Sequence, residues 1–188
     1  MSDVAPGIDI FLQPGDYWFG GADTRIRTLL GSCVAITLWN PKKKLGAMCH
    51  IMLPQRMSAN AQDGLDGRYA DEAVELMLKD IKRAGCRPHD FEAKLFGGGY
   101  MLSSPTIEGI LPERNIEAAK KLIHRAGWSL MAEHTGGRGS RQVRFDIATG
   151  DVWMRFSPVP GVKIDQPLSV SSLPLPLSRK NNKRYSYE

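Results

Sequence analysis

Cys33 and His50 are the residues of this chain whose types and spacing point most directly to chemistry. Cys33 lies in Leu30-Gly31-Ser32-Cys33-Val34, at the mouth of one apolar run, and His50 lies inside the next, Ala47-Met48-Cys49-His50-Ile51. Between the runs stands Asn40-Pro41-Lys42-Lys43, a polar segment with turn chemistry. A hairpin built on a four-residue loop at 40–43 pairs Trp39 with Lys44 and, in the same register, Cys33 with His50. Directly opposed side chains on an antiparallel ladder share a face, with Cβ atoms about 5 Å apart. A thiol beside an imidazole is a nucleophile beside its base. The reading depends on loop length, because a slip of one residue sends the two side chains to opposite faces.

Each residue also has a plainer reading. A cysteine in an apolar strand is ordinarily a small buried hydrophobe, and a strand histidine is ordinarily a satisfied core residue. Gly31 and Ser32 separate Cys33 from that case. Glycine permits a tight backbone that lifts the following side chain out of a sheet, and the same bend aims backbone N–H groups at a developing oxyanion. Gly31 and Ser32 are therefore the expected oxyanion support. Cys49 neighbours His50 in sequence, points to the opposite face and is assigned to packing. Cys86, just after Gly85, is assigned a structural role. A base also needs an orienting acceptor, and neither strand carries a carboxylate. Thr28, five residues before Cys33, offers a hydroxyl, with Thr24 and Thr37 as weaker candidates. Gly97-Gly98-Gly99 lacks the remaining residues of either phosphate-binding glycine motif. The turn His134-Thr135-Gly136-Gly137-Arg138-Gly139 reads as flexible rather than anion-binding. His89, His124 and His134 have no ligand spacing, so neither a metal nor a cofactor is expected.

The elements that must position these residues follow from periodicity. Residues 1 to about 25, with Phe11, Tyr17, Trp18 and Phe19 around Pro14-Gly15-Asp16, read as one or two short strands covering a sheet edge. Ile26–Leu30 and Val34–Trp39 read as a strand pair, or as one strand broken at Gly31; Leu45–Leu53 is the return strand, stopped by Pro54. Residues 57–68 are polar and aperiodic and read as a mobile loop. A helix over 70–84 carries the stripe Val74, Met77, Leu78 and Ile81 and ends at Gly85. Phe91–Phe96 is a strand. A second helix, from Pro112 or Glu113 to Ala126, carries Ile116, Ala119, Leu122 and Ile123 and ends at Gly127. Trp128–Glu133 is a strand, and Gln142–Ile147 with Val152–Phe156 is a hairpin around Thr149-Gly150-Asp151. Two helices among many strands, with few crossovers, predict an α+β layered sandwich: mainly antiparallel or mixed sheets with helices on one side.

Composition limits what such a chain does. At 188 residues it is read as one domain over 1–157, followed by a Pro-rich, basic C-terminal extension over 158–188, with little regular structure. Of the net charge of +5, Arg179, Lys180, Lys183 and Arg184 against Glu188 place +3 in the last ten residues. The remainder is near neutral, which argues against a nucleic-acid surface; the tail is a solvated end or a means of steering toward an acidic partner. Three cysteines without CxxC spacing argue against a disulfide framework and fit a reducing cytoplasm. No apolar run is long enough for a membrane span, and the N-terminus lacks the features of a secretory signal.

The sequence resembles the CheD family, the chemoreceptor glutamine deamidases of bacterial chemotaxis. The resemblance rests on Thr28-Leu29-Leu30-Gly31-Ser32-Cys33-Val34-Ala35 and Gly46-Ala47-Met48-Cys49-His50-Ile51-Met52-Leu53-Pro54. It continues through Lys94-Leu95-Phe96-Gly97-Gly98-Gly99-Tyr100-Met101, Glu113-Arg114-Asn115-Ile116 and Gly136-Gly137-Arg138-Gly139-Ser140-Arg141, and spans roughly residues 15–157. It implies a layered sandwich like the deamidase domain of the cytotoxic necrotizing factor toxins, and a Cys-His-Thr triad carried onto Cys33, His50 and Thr28. It implies hydrolysis of glutamine side chains in methyl-accepting chemotaxis receptors to glutamate and ammonia, through a thioester, and association with the phosphatase CheC. His134 departs from the family pattern, where an acidic residue is expected, and the extension lies outside the match. The same dyad also fits another cysteine hydrolase, such as a peptidase or acyltransferase. A non-catalytic regulatory binding module for CheC or a receptor is the remaining alternative.

Overall fold

A computed structural model describes residues 7–57, 64–101 and 110–160. The extension expected from residue 158 is outside this range beyond residue 160, as are residues 58–63 of the loop expected at 57–68. The strands are β1 (Ile8–Leu12), β2 (Tyr17–Gly20), β3 (Thr24–Leu30), β4 (Val34–Asn40), β5 (Leu45–Ile51), β6 (Glu92–Gly97), β7 (Ser129–Thr135), β8 (Gly139–Asp146) and β9 (Val152–Pro158). The α-helices are α1 (Ala70–Arg83) and α2 (Leu111–Arg125). The strands form two sheets, a four-stranded one in the order β1-β3-β8-β9 and a five-stranded one in the order β2-β5-β4-β6-β7. Both are mixed, with β1/β3 and β6/β7 parallel and the other pairs antiparallel. The fold is α+β, as expected.

Alternation along the strands explains the layering. On β4 and β5, Val34, Ile36, Leu38, Ala47, Cys49 and Ile51 pack with Val74, Met77 and Ile81 of α1 and Ala119 and Ile123 of α2. The intervening Ala35, Trp39 and Met48 pack with Ile26, Leu30, Val143 and Phe145 of the other sheet. The five-stranded sheet thus lies between the helices and the four-stranded sheet. A strand covered on both faces reads as a continuous apolar run, and all seven residues of β4 are buried. In β3, by contrast, buried and exposed residues alternate strictly.

Both helices fall within a residue or two of expectation. Asp71 and Glu72 open α1 and Lys82 and Arg83 close it, each matching the helix dipole. Gly85 and Gly127 follow α1 and α2 at φ +63° and +75°, a region glycine occupies without steric cost. Residues 7–20 form two edge strands, one in each sheet.

Two expectations are corrected. First, β3 and β4 are neither a pair nor one broken strand: they lie in different sheets, and residues 31–33 carry the chain across. Second, the β4–β5 register is displaced by two. Asn40 pairs with Leu45 and Ala35 with His50, so the loop is 41–44 and Cys33 precedes the ladder. Lys44 supplies the reason: it takes φ +52° and donates its N–H to the Asn40 carbonyl at 2.9 Å, closing the turn one residue later than expected. A shift of two preserves side-chain parity, so His50 still faces the layer between the sheets.

Candidate functional site

The site lies where three strand ends meet. Parallel pairing sets Leu12, the last residue of β1, beside Thr28 of β3. His50, near the end of β5, faces β3 and is 2 % exposed. Its backbone is anchored on the β2 side: the His50 N–H donates to the Asp16 carbonyl at 2.9 Å, and the His50 carbonyl accepts from the Gly15 N–H at 2.8 Å.

The Thr28 hydroxyl lies 2.8 Å from the Leu12 carbonyl oxygen and 2.8 Å from His50 Nδ1. One hydroxyl has one proton. If it went to the imidazole, two oxygens would face each other at hydrogen-bond distance with no hydrogen between them. It therefore goes to Leu12, and Thr28 Oγ1 accepts from His50 Nδ1–H. This selects the tautomer whose lone pair is on Nε2. Thr28 is the hydroxyl brought to His50. Thr24 Oγ1 instead donates to the Asp23 carboxylate at 3.2 Å, and Thr37 lies buried in β4 opposite Met48.

Cys33 sits in the crossing between the sheets, half-buried against the inter-sheet cluster. All three carbonyls of this turn are engaged. Gly31 accepts from Gly99 N–H and Cys33 from Gly98 N–H, both at 2.8 Å, and Ser32 accepts from Asn115 Nδ2 at 3.3 Å. The Ser32 and Cys33 N–H groups make no hydrogen bond to another described residue. The glycine run, for which no role was read, is thus the cradle of this turn. A Cβ on Gly97 would overlap the Cys33 carbonyl, and one on Gly99 would overlap the Gly139 carbonyl.

Burial raises the Cys33 thiol above its ordinary value, opposed by a hydrogen bond from Ser32. Burial lowers His50, opposed by the Leu12 carbonyl and the Asp16 carboxylate. Desolvation dominates in both, so at neutral pH Cys33 rests as a thiol and His50 as a neutral imidazole. Cys49 faces the helix layer, fully buried, with its thiol near the Ile36 carbonyl and pushed up to about 12, as its packing assignment requires. Cys86 is half-buried at the edge of the helix-side core, its thiol toward the Ala84 carbonyl.

Sequence reasoning missed a second polar cluster. Arg141 of β8, fully buried, donates Nε–H to Nδ1 of His134 on β7 at 2.8 Å and Nη2–H to the Gly136 carbonyl. It stacks 4.9 Å from the Phe156 ring centroid. Its partner is a neutral imidazole, which is the consequence of the departure noted at His134.

Comparison with known proteins gives one family. The family model described as CheD chemotactic sensory transduction matches residues 52–156, starting two residues past His50. A relative from Dechloromonas aromatica, "Probable chemoreceptor glutamine deamidase CheD 3", is 48% identical over 79% of this chain and 87% of its own length. "Probable chemoreceptor glutamine deamidase CheD 1" of Chromobacterium violaceum is 46% identical over 80% of this chain and 79% of its own. "Probable chemoreceptor glutamine deamidase CheD" of Thermococcus kodakarensis is 38% identical over 75% of this chain and 88% of its own. Among solved structures, Bacillus licheniformis hypothetical protein YfiH aligns with 65% of this chain and 49% of its own length, at 15% identity and a TM-score of 0.38.

Proposed function

This chain belongs to the CheD family, and from that premise we propose that it is a chemoreceptor glutamine deamidase with Cys33 as nucleophile, His50 as base and Thr28 as the residue that orients the base. The supporting observation is the hydrogen bond between Thr28 Oγ1 and His50 Nδ1, which leaves Nε2 free to take a proton. The Cys33 proton passes to His50 Nε2 as sulfur bonds to the carboxamide carbon of a receptor glutamine. The N–H groups of Ser32 and Cys33 receive the oxyanion at the turn that starts at Gly31. His50 returns the proton to the departing nitrogen, the C–N bond breaks and ammonia leaves. His50 then draws a proton from water, whose oxygen attacks the thioester; the C–S bond breaks, glutamate forms and Cys33 recovers its thiol.

Each turnover converts a neutral side chain into an anionic one on the receptor, changing like-charge repulsion between its helices. The reaction site is the cytoplasmic part of the receptor. No helix among the described residues is long and apolar enough to cross a membrane. Association with the phosphatase CheC belongs to the same proposal and is read by co-purification.

The test is mass spectrometry of a receptor cytoplasmic fragment incubated with this protein, with Cys33→Ala as control. Glutamine-to-glutamate conversion that requires Cys33 is the expected result. Conversion that survives Cys33→Ala removes the cysteine mechanism. Receptor binding without conversion makes the chain a regulatory binding module, and cleavage of the receptor chain makes it a peptidase.

A further inference from the structure

Asn115 lies in the first turns of α2, and its side chain is completely buried. Its amide nitrogen donates to two backbone carbonyls, Met52 at 2.9 Å and Ser32 at 3.3 Å. Those carbonyls belong to different segments of the site: Ser32 immediately precedes Cys33, and Met52 lies two residues beyond His50. The amide orientation is determined by these contacts, since a flipped Asn115 would set Oδ1 against two carbonyl oxygens. As oriented, Oδ1 is buried with no hydrogen-bond partner among the described residues. A buried acceptor left unsatisfied is costly, so the residue is poorly explained as a stabiliser of α2 alone.

The second observation is that no ladder joins the two segments at this point. The β4–β5 register ends at Val34 and Ile51. Past that pair, the chain on one side turns into the inter-sheet crossing and on the other runs toward Pro54. The ladder thus holds His50 opposite Ala35 but ends one residue short of Cys33, so its hydrogen bonds do not fix the Cys33 turn itself. The two amide hydrogens of Asn115 span that gap.

We propose that Asn115 is a positioning residue for the deamidation reaction: one carboxamide clamps the Cys33 turn to the His50 strand end and sets the distance over which the thiol proton is handed to the imidazole. This rests on the catalytic reading of Cys33 and His50 above. Asn115 does not touch the substrate. Losing the clamp misaligns the pair and slows chemistry, because small errors in the placement of reacting groups cost orders of magnitude. It leaves receptor binding alone.

The test compares Asn115→Asp, nearly isosteric but able to donate to at most one of the two carbonyls, with Ala119→Gly, which weakens the same helix by propensity without touching either carbonyl. Melting temperature, kcat and KM are measured for both on a receptor cytoplasmic fragment, with Cys33→Ala alongside. Asn115→Asp is expected to lower kcat at least tenfold with KM within threefold, while Ala119→Gly keeps kcat within threefold. If both variants lose kcat in proportion to their melting temperatures, Asn115 is only structural and the proposal is overturned. A rise in KM at unchanged kcat, or no loss at all, overturns it too. Should Asn115→Asp not fold, Asn115→Ala replaces it under the same criteria. Activity that survives Cys33→Ala overturns the catalytic reading itself, whatever Asn115→Asp does.

Discussion

At the scale of single residues, the Thr28 proton decides the chemistry of His50. Committed to Leu12, it makes Thr28 an acceptor and holds the imidazole with Nε2 unprotonated. Thr28→Ser keeps the hydroxyl and should keep most of the activity. Thr28→Val, similar in shape but without it, should lower kcat by about 10–100-fold, part of what a positioned base contributes; steady-state deamidation kinetics check both. The acid limb of kcat/KM reports the free enzyme's base. Because burial lowers His50, that limb should have its midpoint below the ordinary imidazole value of 6.5. A midpoint above 6.5 would mean that a carboxylate or thiolate holds the imidazolium. At Cys49 the expectation is the reverse. Its side chain faces the helices, so Cys49→Ser should leave the rate within about twofold while lowering stability by about 1 kcal/mol through a buried hydroxyl. The face assignments of Cys49 and His50 were legible from parity along β5, whereas Cys33 falls in the crossing before β4. The pairing partner of His50 was not legible, because one left-handed residue, Lys44, lengthened the turn.

At the scale of elements, glycine backbone N–H groups and the Asn115 side chain hold the Cys33 turn, and this separates two kinds of glycine. Gly127 has φ +75° and nothing within 4 Å of where a Cβ would go. Gly127→Ala should cost about 1 kcal/mol from conformation alone and leave activity intact. Gly97 has φ +112°, and a Cβ there would strike the Cys33 carbonyl and come within 2.9 Å of Val34 Cα. Gly97→Ala should cost more than about 2 kcal/mol and abolish deamidation, with urea unfolding and the receptor assay reading the two effects. Both helices and the hairpin read at 142–156 were legible because local signals decide them: apolar stripes at helical spacing, glycines at helix ends, and a turn at Thr149-Gly150. That β3 and β4 part into different sheets was not. The N–H donors of Gly98 and Gly99, more than sixty residues downstream, bend residues 31–33 away from either predicted pairing.

At the scale of the molecule, polar side chains tie one sheet to the other. Trp39 Nε1–H donates to the Ile147 carbonyl and Lys94 Nζ to the Gly150 carbonyl, each at 2.9 Å, and Arg141 reaches His134 across the same interface. Burial and the Arg141 charge push His134 down to about 4, and burial brings Arg141 to about 10. In the unfolded chain His134 takes a proton near pH 6.5, whereas in the folded protein it does so only near 4. Its contribution is therefore complete above pH 6.5 and is lost as pH falls toward 4. Because His134 is only half-buried, solvent screening holds the effect to about 1–2 kcal/mol. His134→Gln retains an acceptor for Arg141 and does not titrate. Its stability, from urea unfolding at pH 7 and pH 5, should fall by about 1 kcal/mol less than the parent's; an equal fall would assign the acid sensitivity to carboxylates.

The sequence by itself determined the elements, the α+β class, the family resemblance, and the candidates Cys33 and His50, with Thr28, Thr24 and Thr37 as possible partners of the histidine. Each rests on local periodicity, on turn residues or on the order of short motifs. Only the tertiary structure decided which hydroxyl meets the imidazole, which tautomer it selects, and that Gly97–Gly99 and Asn115 serve the Cys33 turn. Those are contacts between segments 16 to 83 residues apart in the chain, and their partners are mostly backbone carbonyls and N–H groups. Every residue carries the same backbone groups, so no side-chain pattern announces which of them will be used.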